Sequence, residues 1–232
     1  MKNVPIKFTK YQIATAIAIL FHAIGFIGIV FFKNSFILQS TPVNLLLMFG
    51  LLVWTQKEKN FPFWLFIIIT AVAGIGTEMI GVNTKLLFGD YSYGNAMGIK
   101  INNVPLLIGI NWFIIIYCCG IAVHTLLVKA IDKVSAETST PPMALKALSV
   151  IVDGATLAVF FDWLMEPVAV QLGYWKWAGD IPFYNYLCWF IIAVALLGVF
   201  HLFKFNKQNK FAVHLLLIQV MFFLLLRTFF DT

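Results

Sequence analysis

Charged residues are scarce in this sequence. Only 11% of its 232 residues are Asp, Glu, Lys or Arg, whereas 61% are hydrophobic and 24 are Phe. A soluble fold could not pack so many apolar side chains without leaving large apolar patches exposed to water. The composition therefore excludes an ordinary soluble domain. It indicates a multi-pass protein of the inner cell membrane, in contact with the lipid bilayer.

Cysteine and the common motifs of catalysis are also rare or missing. Cys118, Cys119 and Cys188 lie within apolar runs, where neither a disulfide framework nor a zinc spacing is present. The sequence has no dinucleotide glycine fingerprint, phosphate loop, HExxH or GxSxG motif, and no pair of its four His has metal-site spacing. We therefore expect no cofactor and no metal. The net charge of +6 comes from Lys residues between apolar runs, so we expect no nucleic-acid partner.

Seven apolar runs are long enough to cross a bilayer as helices, which takes about 20 residues each. They are residues 11–32, 35–54, 62–81, 104–128, 143–165, 183–203 and 211–230. The predicted fold is therefore an all-α, polytopic single membrane domain over residues 1–232. With a cytoplasmic N-terminus, the 16 Lys and Arg residues divide eleven inside to five outside. This excess predicts an inner N-terminus and an outer C-terminus.

Two carboxylates and a group of aromatic residues occur together in residues 162–189. Asp162 and Glu166 are four residues apart and share one face of a helix, and Pro167 disfavours helical geometry at the residue before it. We therefore expect both carboxylates at a helix end. Trp175 and Trp177 follow, in a pattern that suits either a membrane interface or the mouth of a pocket for a flat apolar ligand.

The first outer loop has the same order of residues. Glu78 precedes a Tyr-x-Tyr sequence and a proline, and Trp112 lies seven residues after that proline. Glu166 likewise precedes a Trp-x-Trp sequence and a proline, with Trp189 seven residues further on. Either helices 3-4 and 5-6 form a parallel internal repeat, which would place a shared site at the repeat interface, or the match is a coincidence in an aromatic-rich chain.

Ionisable side chains inside a span are costly and normally face a bundle interior or a cavity. Asp153 lies in the fifth span, nine residues before Asp162 and therefore on the opposite helix face. It is either a structural ion-pair partner or, if the helix bends, part of the site. His22 lies in the middle of the first span, as a hydrogen-bonded core residue or as a ligand contact. Asp90 falls near the outer boundary.

These residues define a candidate site in the outer half of the membrane. Its candidate catalytic residues are Glu78, Asp90, Asp153, Asp162 and Glu166. Its candidate substrate-binding residues are His22, Tyr91, Tyr93, Asn111, Trp112, Trp175 and Trp177.

Two stretches carry a family resemblance: GTEMIGVNTKLLFGDYSYG with NVPLLIGINW, and DWLMEPVAVQLGYWKWAGDIPFYNYLCWF. Over roughly residues 74–189 they resemble the membrane carotenoid hydratases, which include bacterioruberin-precursor hydratases and bacterial gamma-carotene 1'-hydratases. The chain differs at Glu166, where the family has aspartate, and at Lys85, where a small residue is expected. The resemblance implies cofactor-free addition of water to the terminal C1,C2 double bond of an acyclic carotenoid.

The residue types suit this reaction. A carboxylic acid kept protonated in apolar surroundings can deliver a proton to an alkene, aromatic faces can stabilise the cation, and a second carboxylate can orient water. A long hydrocarbon substrate would reach the site laterally from the bilayer. Two alternatives share the residues: a carotenoid cyclase, and a small transporter or scaffold. A solvated outer mouth favours hydration, a dry aromatic pocket favours cyclisation, and a polar route to the inner face favours transport.

Overall fold

The computed structural model describes residues 8–32, 35–135 and 143–230, and these contain eight helices and four short strands. The helices are α1 Lys10–Val30, α2 Ser35–Gln39, α3 Thr41–Thr55, α4 Phe61–Thr84, α5 Leu107–Ser135, α6 Met143–Gln171, α7 Phe183–Leu202 and α8 Lys210–Phe230. The strands are β1 Tyr91–Tyr93, β2 Lys100–Ile101, β3 Val104–Pro105 and β4 Trp175–Trp177. Six of these helices are long and apolar enough to cross a membrane. The prediction of an all-α membrane protein is confirmed.

The second predicted span, residues 35–54, is divided into α2 and α3. Ser40 ends α2 by donating its hydroxyl to the carbonyl of Ile37, and Pro42 starts α3, because proline is favoured in the first turn of a helix. With 15 residues α3 is about 22 Å long, shorter than a bilayer core of about 30 Å. It nevertheless runs between the two ends of the bundle. Thr41 is hydrogen-bonded to Tyr174 at one end, and Gln56 donates to a carbonyl of the α7–α8 loop at the other.

Helix α6 continues through Pro167 to Gln171, past the predicted end at residue 165. The expectation that Pro167 would place the carboxylates at a helix end is therefore corrected. Proline removes one intrahelical hydrogen bond, and neighbouring helices in a membrane bundle tolerate this loss. Asp162 and Glu166 consequently lie inside the helix, Glu166 about 7 Å from its last residue.

Helix α5 forms the centre of the bundle. Every side chain from residue 111 to residue 123 is buried, and α5 packs against α3, α4, α6, α7 and α8. A helix that is apolar on all sides is suited to a position inside a protein or a membrane, and α5 has the inner position. This central position brings the first turns of α5 next to α4, α6 and α7, which carry the candidate acidic and aromatic residues.

Lysine side chains collect at the end of the bundle opposite these residues. Lys10 lies over the ring of Trp54, and Lys210 over the ring of Tyr11. Lys59 donates to the carbonyl of Gln56 at the same end. This arrangement agrees with the charge bias of the sequence. The orientation in the membrane, with the N-terminus inside, stays a prediction.

Candidate active site

Strands β1 and β4 form an antiparallel pair across one end of the bundle. Tyr91 lies opposite Trp177, and Tyr93 lies opposite Trp175. Alternate residues of a strand point to the same face, so all four rings can share one side of the ribbon. The hydrogen bonds described below show that this side faces the buried carboxylates of α4 and α6.

Two glycines allow the ribbon to form. A Cβ atom on Gly94 would lie 2.0 Å from the carbonyl oxygen of Gly173, and Gly173 itself has φ +72°. Beside this contact, the amide of Gly94 donates to the carbonyl of Tyr174 at 2.7 Å. Since side chains are excluded from this approach, glycine is required at position 94.

Glu78 of α4 is surrounded by hydrogen-bond donors. Its Oε2 accepts from the hydroxyls of Tyr91 at 2.5 Å and Tyr93 at 2.7 Å, and its Oε1 accepts from Nε1 of Trp112 at 3.0 Å. Burial raises the pKa of both tyrosine hydroxyls, and the negative charge of Glu78 raises it further. Both tyrosines therefore keep their protons and act as donors to a fixed carboxylate.

Asp162 and Glu166 of α6 accept fewer hydrogen bonds than Glu78 does. Oδ2 of Asp162 accepts from Nδ2 of Asn185 at 3.1 Å. Oε2 of Glu166 accepts from Nε1 of Trp175 at 2.6 Å and of Trp177 at 3.4 Å. Within the described part of the chain, no side chain donates to the second oxygen of either carboxyl group. Each of these two groups therefore has one oxygen available to a bound molecule.

The two segments of similar sequence, Glu78 to Trp112 and Glu166 to Trp189, face each other around this site. Antiparallel strands are related by a local two-fold rotation, and the rings of Trp112 and Trp189 stack with centroids 3.9 Å apart and planes 7° apart. This is the arrangement expected of a parallel repeat. The two units differ at the position four residues before the glutamate, where Gly74 stands in place of Asp162 and packs against Trp112. Only the second unit therefore supplies a pair of carboxylates on one helix face.

A small cavity lies between the three carboxyl groups. Its volume is about 20 Å³, which is enough for one water molecule. Its walls include Glu78, Asp162 and Glu166, the amides of Asn111 and Asn185, and the rings of the β1–β4 ribbon. The three carboxyl groups are 1–4% exposed, so the site is covered by aromatic side chains and is not an open solvated mouth.

A much larger apolar pocket adjoins this cavity. Its volume is about 450 Å³, a size typical of ligand pockets. It lies between α1, α3, α6 and α8, and it shares Asn111, Met165 and Trp175 with the small cavity. A hydrocarbon bound in the large pocket could therefore bring one end to the carboxyl groups. Gln219, which is 8% exposed, and Asn44 add two amide groups to the otherwise largely apolar walls.

The protein interior below the site is filled with apolar side chains. Met48, Leu52, Phe66, Phe113 and Phe200 are each 0% exposed and occupy the space between the carboxyl groups and the lysine-rich end. A polar route between the two ends, which a transporter would need, is not present among the described residues.

Three of the predicted site residues lie away from the carboxyl groups. Asp90 is on the surface, where it forms an ion pair with Lys85 at 2.5 Å. Asp153 is exposed and, as its spacing from Asp162 requires, lies on another face of α6. His22 lines the large pocket, and its Nδ1 is 2.8 Å from the carbonyl oxygen of Ala18. The side chains of Asp90 and Asp153 reach neither cavity, so the structure does not bring these two candidates to the carboxyl groups.

The other nine candidates come together at the two cavities. Glu78, Tyr91, Tyr93, Asn111, Asp162, Glu166, Trp175 and Trp177 line the small cavity, and Trp112 is bonded to Glu78. Sequence reasoning missed Asn185 and did not include Trp189. The available signal was that Asn185 is a lone amide in an apolar helix, four residues before a tryptophan and hence on the same helix face.

The fold and site define a class of protein: a polytopic membrane protein with buried carboxyl groups beside a large apolar pocket. A family model described as carotenoid biosynthesis protein matches residues 32–231. The chain belongs to this family and functions in carotenoid biosynthesis. No curated protein matches the chain significantly, and no solved structure does so.

Proposed function

We propose that this protein adds water to the terminal C1,C2 double bond of an acyclic carotenoid end group, without a cofactor. The observation that carries the proposal is a water-sized cavity bounded by three buried carboxyl groups and adjoining a large apolar pocket, with which it shares lining residues. The end group occupies the large pocket and meets the carboxyl groups beside Asn111, Met165 and Trp175. The rest of a carotenoid is hydrocarbon, which matches the apolar walls.

The hydrogen bonds suggest a role for each carboxyl group. Glu78 accepts three donors, an arrangement that favours the ionised form. Glu166 accepts two indole N–H groups, whereas Asp162 accepts one amide N–H. We therefore assign the transferable proton to Asp162 and the orientation of water to Glu166. Glu78 is the fixed negative charge that stabilises the cation.

The reaction then balances without a redox step. The proton of Asp162 forms a bond to C2 as the alkene π bond breaks, which leaves a tertiary cation at C1. Oxygen of the water in the small cavity bonds to C1, and the proton that this water loses passes to Glu166. Transfer of this proton from Glu166 to Asp162, one turn away on α6, restores both carboxyl groups and completes the cycle. Trp189 and the rings of the ribbon line the small cavity and place aromatic groups near the cation.

A carotenoid cyclase is the second candidate, because it shares the protonation step and the site is covered by aromatic rings. In that reaction a second double bond of the substrate attacks the cation, and the product is an isomer of the substrate. The small cavity favours hydration, since it has room for one water molecule between the carboxyl groups and is too small for a folded end group.

Expression in a bacterial strain that accumulates lycopene separates the candidates. Extracted pigments are resolved by chromatography with mass detection. Hydration predicts a pigment heavier by one water with an unchanged chromophore spectrum. An isomer of unchanged mass would support the cyclase instead, and unaltered pigments at good expression would contradict both. Asp153→Asn is the matched control for Asp162→Asn: both change a carboxyl group of α6, and only the second is expected to abolish the new pigment.

A further inference from the structure

A groove on the outer surface of the bundle follows the contact between α1 and α8. Its walls are Ile19, His22, Ala23, Phe26 and Ile27 of α1, and Leu217, Ile218, Met221, Phe222 and Leu225 of α8. Apart from His22 these side chains are apolar. The α1 residues recur at the spacing of one helix face, so the groove runs along the seam for about 12 Å.

The groove and the large internal pocket share two residues, His22 and Phe222. The ring of Phe222 meets the imidazole of His22 edge to face, with centroids 5.3 Å apart. On the same side, a Cβ atom on Gly25 would lie 3.6 Å from the Phe222 ring. Phe222 and His22 therefore form the wall that the pocket and the membrane-facing groove share, and Gly25, which lines the pocket, leaves space beside the Phe222 ring.

These contacts form a continuous series from the bilayer to the carboxyl groups. The groove meets the pocket at His22 and Phe222, and the pocket meets the small cavity at Met165 and Trp175. A carotenoid is a long polyene, whereas the pocket has the volume of an ordinary ligand site of about 300–1,000 Å³. When the end group is in the pocket, the remaining chain must leave it, and the seam of α1 and α8 is the apolar exit that adjoins it.

We propose that the α1–α8 groove is the binding site for the polyene chain of the substrate, and that Phe222 gates its passage into the pocket. The proposal rests on the proposed function, because the carboxyl groups define which end of the path is reactive. One end group is then bound at a time, while the rest of the molecule stays between α1, α8 and the lipid.

The test measures binding, so that it does not depend on turnover. The purified protein in lipid nanodiscs is titrated with lycopene, and quenching of tryptophan fluorescence gives the Kd. Trp175, which lines the pocket, is a natural reporter. A second titration uses myrcene, a short hydrocarbon with the same dimethyl-substituted double bond, which fits within the pocket and does not need the groove.

Ala23→Leu places a branched side chain in the groove, which Ala23 lines, and leaves the walls of the large pocket unchanged. We expect its Kd for lycopene to rise about tenfold or more, equivalent to about 1.4 kcal/mol, while its Kd for myrcene stays within about twofold of wild type. Ala16→Leu is the matched control, since it makes the same change at an exposed position of α1 that lines neither the groove nor the pocket. This control is expected to bind both hydrocarbons as wild type does.

Each result supports or overturns a stated proposal. Wild-type affinity of Ala23→Leu for lycopene would overturn the proposed groove site. Failure of the wild-type protein to bind lycopene would overturn both the groove site and the proposed function. Binding with the expected discrimination but without a hydrated product would overturn the reaction alone. If Ala23→Leu binds neither probe, Phe222→Ala decides: removal of the gate predicts faster association of lycopene, and an unchanged association rate contradicts the proposal.

Discussion

Replacement of Asn185 by leucine tests how Asp162 is positioned. Asn185 is 1% exposed and is the one side chain in the described part of the chain that donates to Asp162. Leucine has the same branching and the same number of side-chain heavy atoms but cannot donate, so the carboxyl group loses its partner while the shape of the side chain is kept. A hydrogen bond to a group that becomes charged is worth about 1.5–3 kcal/mol. If that bond acts in the transition state, kcat falls about 10-fold to 100-fold.

The assay is single-end hydration of lycopene by the purified protein in lipid vesicles, followed over a range of substrate concentrations. Asn185 lines the small cavity and does not line the large pocket, so KM should change little while kcat falls. A residue with a merely structural role would lower the folded fraction and the melting temperature instead. The split between kcat and KM therefore distinguishes positioning from folding.

Asn209→Leu is the matched control. Asn209 is 2% exposed, and its Nδ2 donates to the hydroxyl of Tyr117 and the carbonyl of Leu52 at the lysine-rich end, away from the carboxyl groups. This variant should be less stable, yet the folded protein should keep its kcat. Wild-type kcat in Asn185→Leu, or an equal loss of kcat in Asn209→Leu, would refute the positioning role.

Three further outcomes follow from the same contacts. Gly94→Ala should abolish activity and reduce the yield of folded protein, because its Cβ atom would lie 2.0 Å from the carbonyl oxygen of Gly173. Normal yield with normal activity would contradict the pairing of β1 with β4. Tyr117→Phe should lower the free energy of unfolding by about 1–3 kcal/mol, since Gln56 loses a 2.6 Å hydrogen bond; denaturant titration in detergent checks this, and an unchanged midpoint would contradict it. The Asp90→Asn variant should hydrate lycopene at the wild-type rate, since the ion pair of Asp90 lies on the surface. A large loss of rate would show that Asp90 takes part in the reaction.

Much of the site could be predicted from local spacing. Asp162 and Glu166 are four residues apart, and a helix places such residues on one face whatever surrounds it. Carboxyl groups inside apolar spans must face a cavity or partner, which singled out Glu78 as well. The Tyr-x-Tyr and Trp-x-Trp sequences indicated which loops carry the rings. These inferences depend only on the spacing of residues along a helix or strand, and the structure shows the helices and strands that the spacing requires.

The remaining features depend on contacts between distant parts of the chain. Nothing near Tyr91 indicates that its strand pairs with the strand of Trp177, and that pairing is what turns two loops into one cover over the carboxyl groups. Asp90 has the right residue type at the right depth, yet Lys85 holds it on the surface. Asn185 is significant only because α7 places it beside Asp162. Such facts follow from tertiary packing, which residue spacing alone does not specify.

The helix boundaries also could not be predicted fully from residue spacing and hydropathy. Pro167 predicts a helix end by local sterics, but neighbouring helices allow α6 to continue to Gln171. Hydropathy predicted one span over residues 35–54, while Ser40 and Pro42 divide it by local hydrogen bonding and restricted dihedral angles. The average apolar character of a segment therefore predicts burial in the membrane better than it predicts a single helix.

The source of the oxygen atom tests the central claim most directly. The purified protein in lipid vesicles is incubated with an acyclic carotenoid in oxygen-18-labelled water, and the product is analysed by mass spectrometry. Hydration at this site predicts one labelled oxygen per hydrated end with wild-type protein, and none with Asp162→Asn that is folded and inserted. A product without the label, an isomer of unchanged mass, or full labelling by Asp162→Asn would contradict the account.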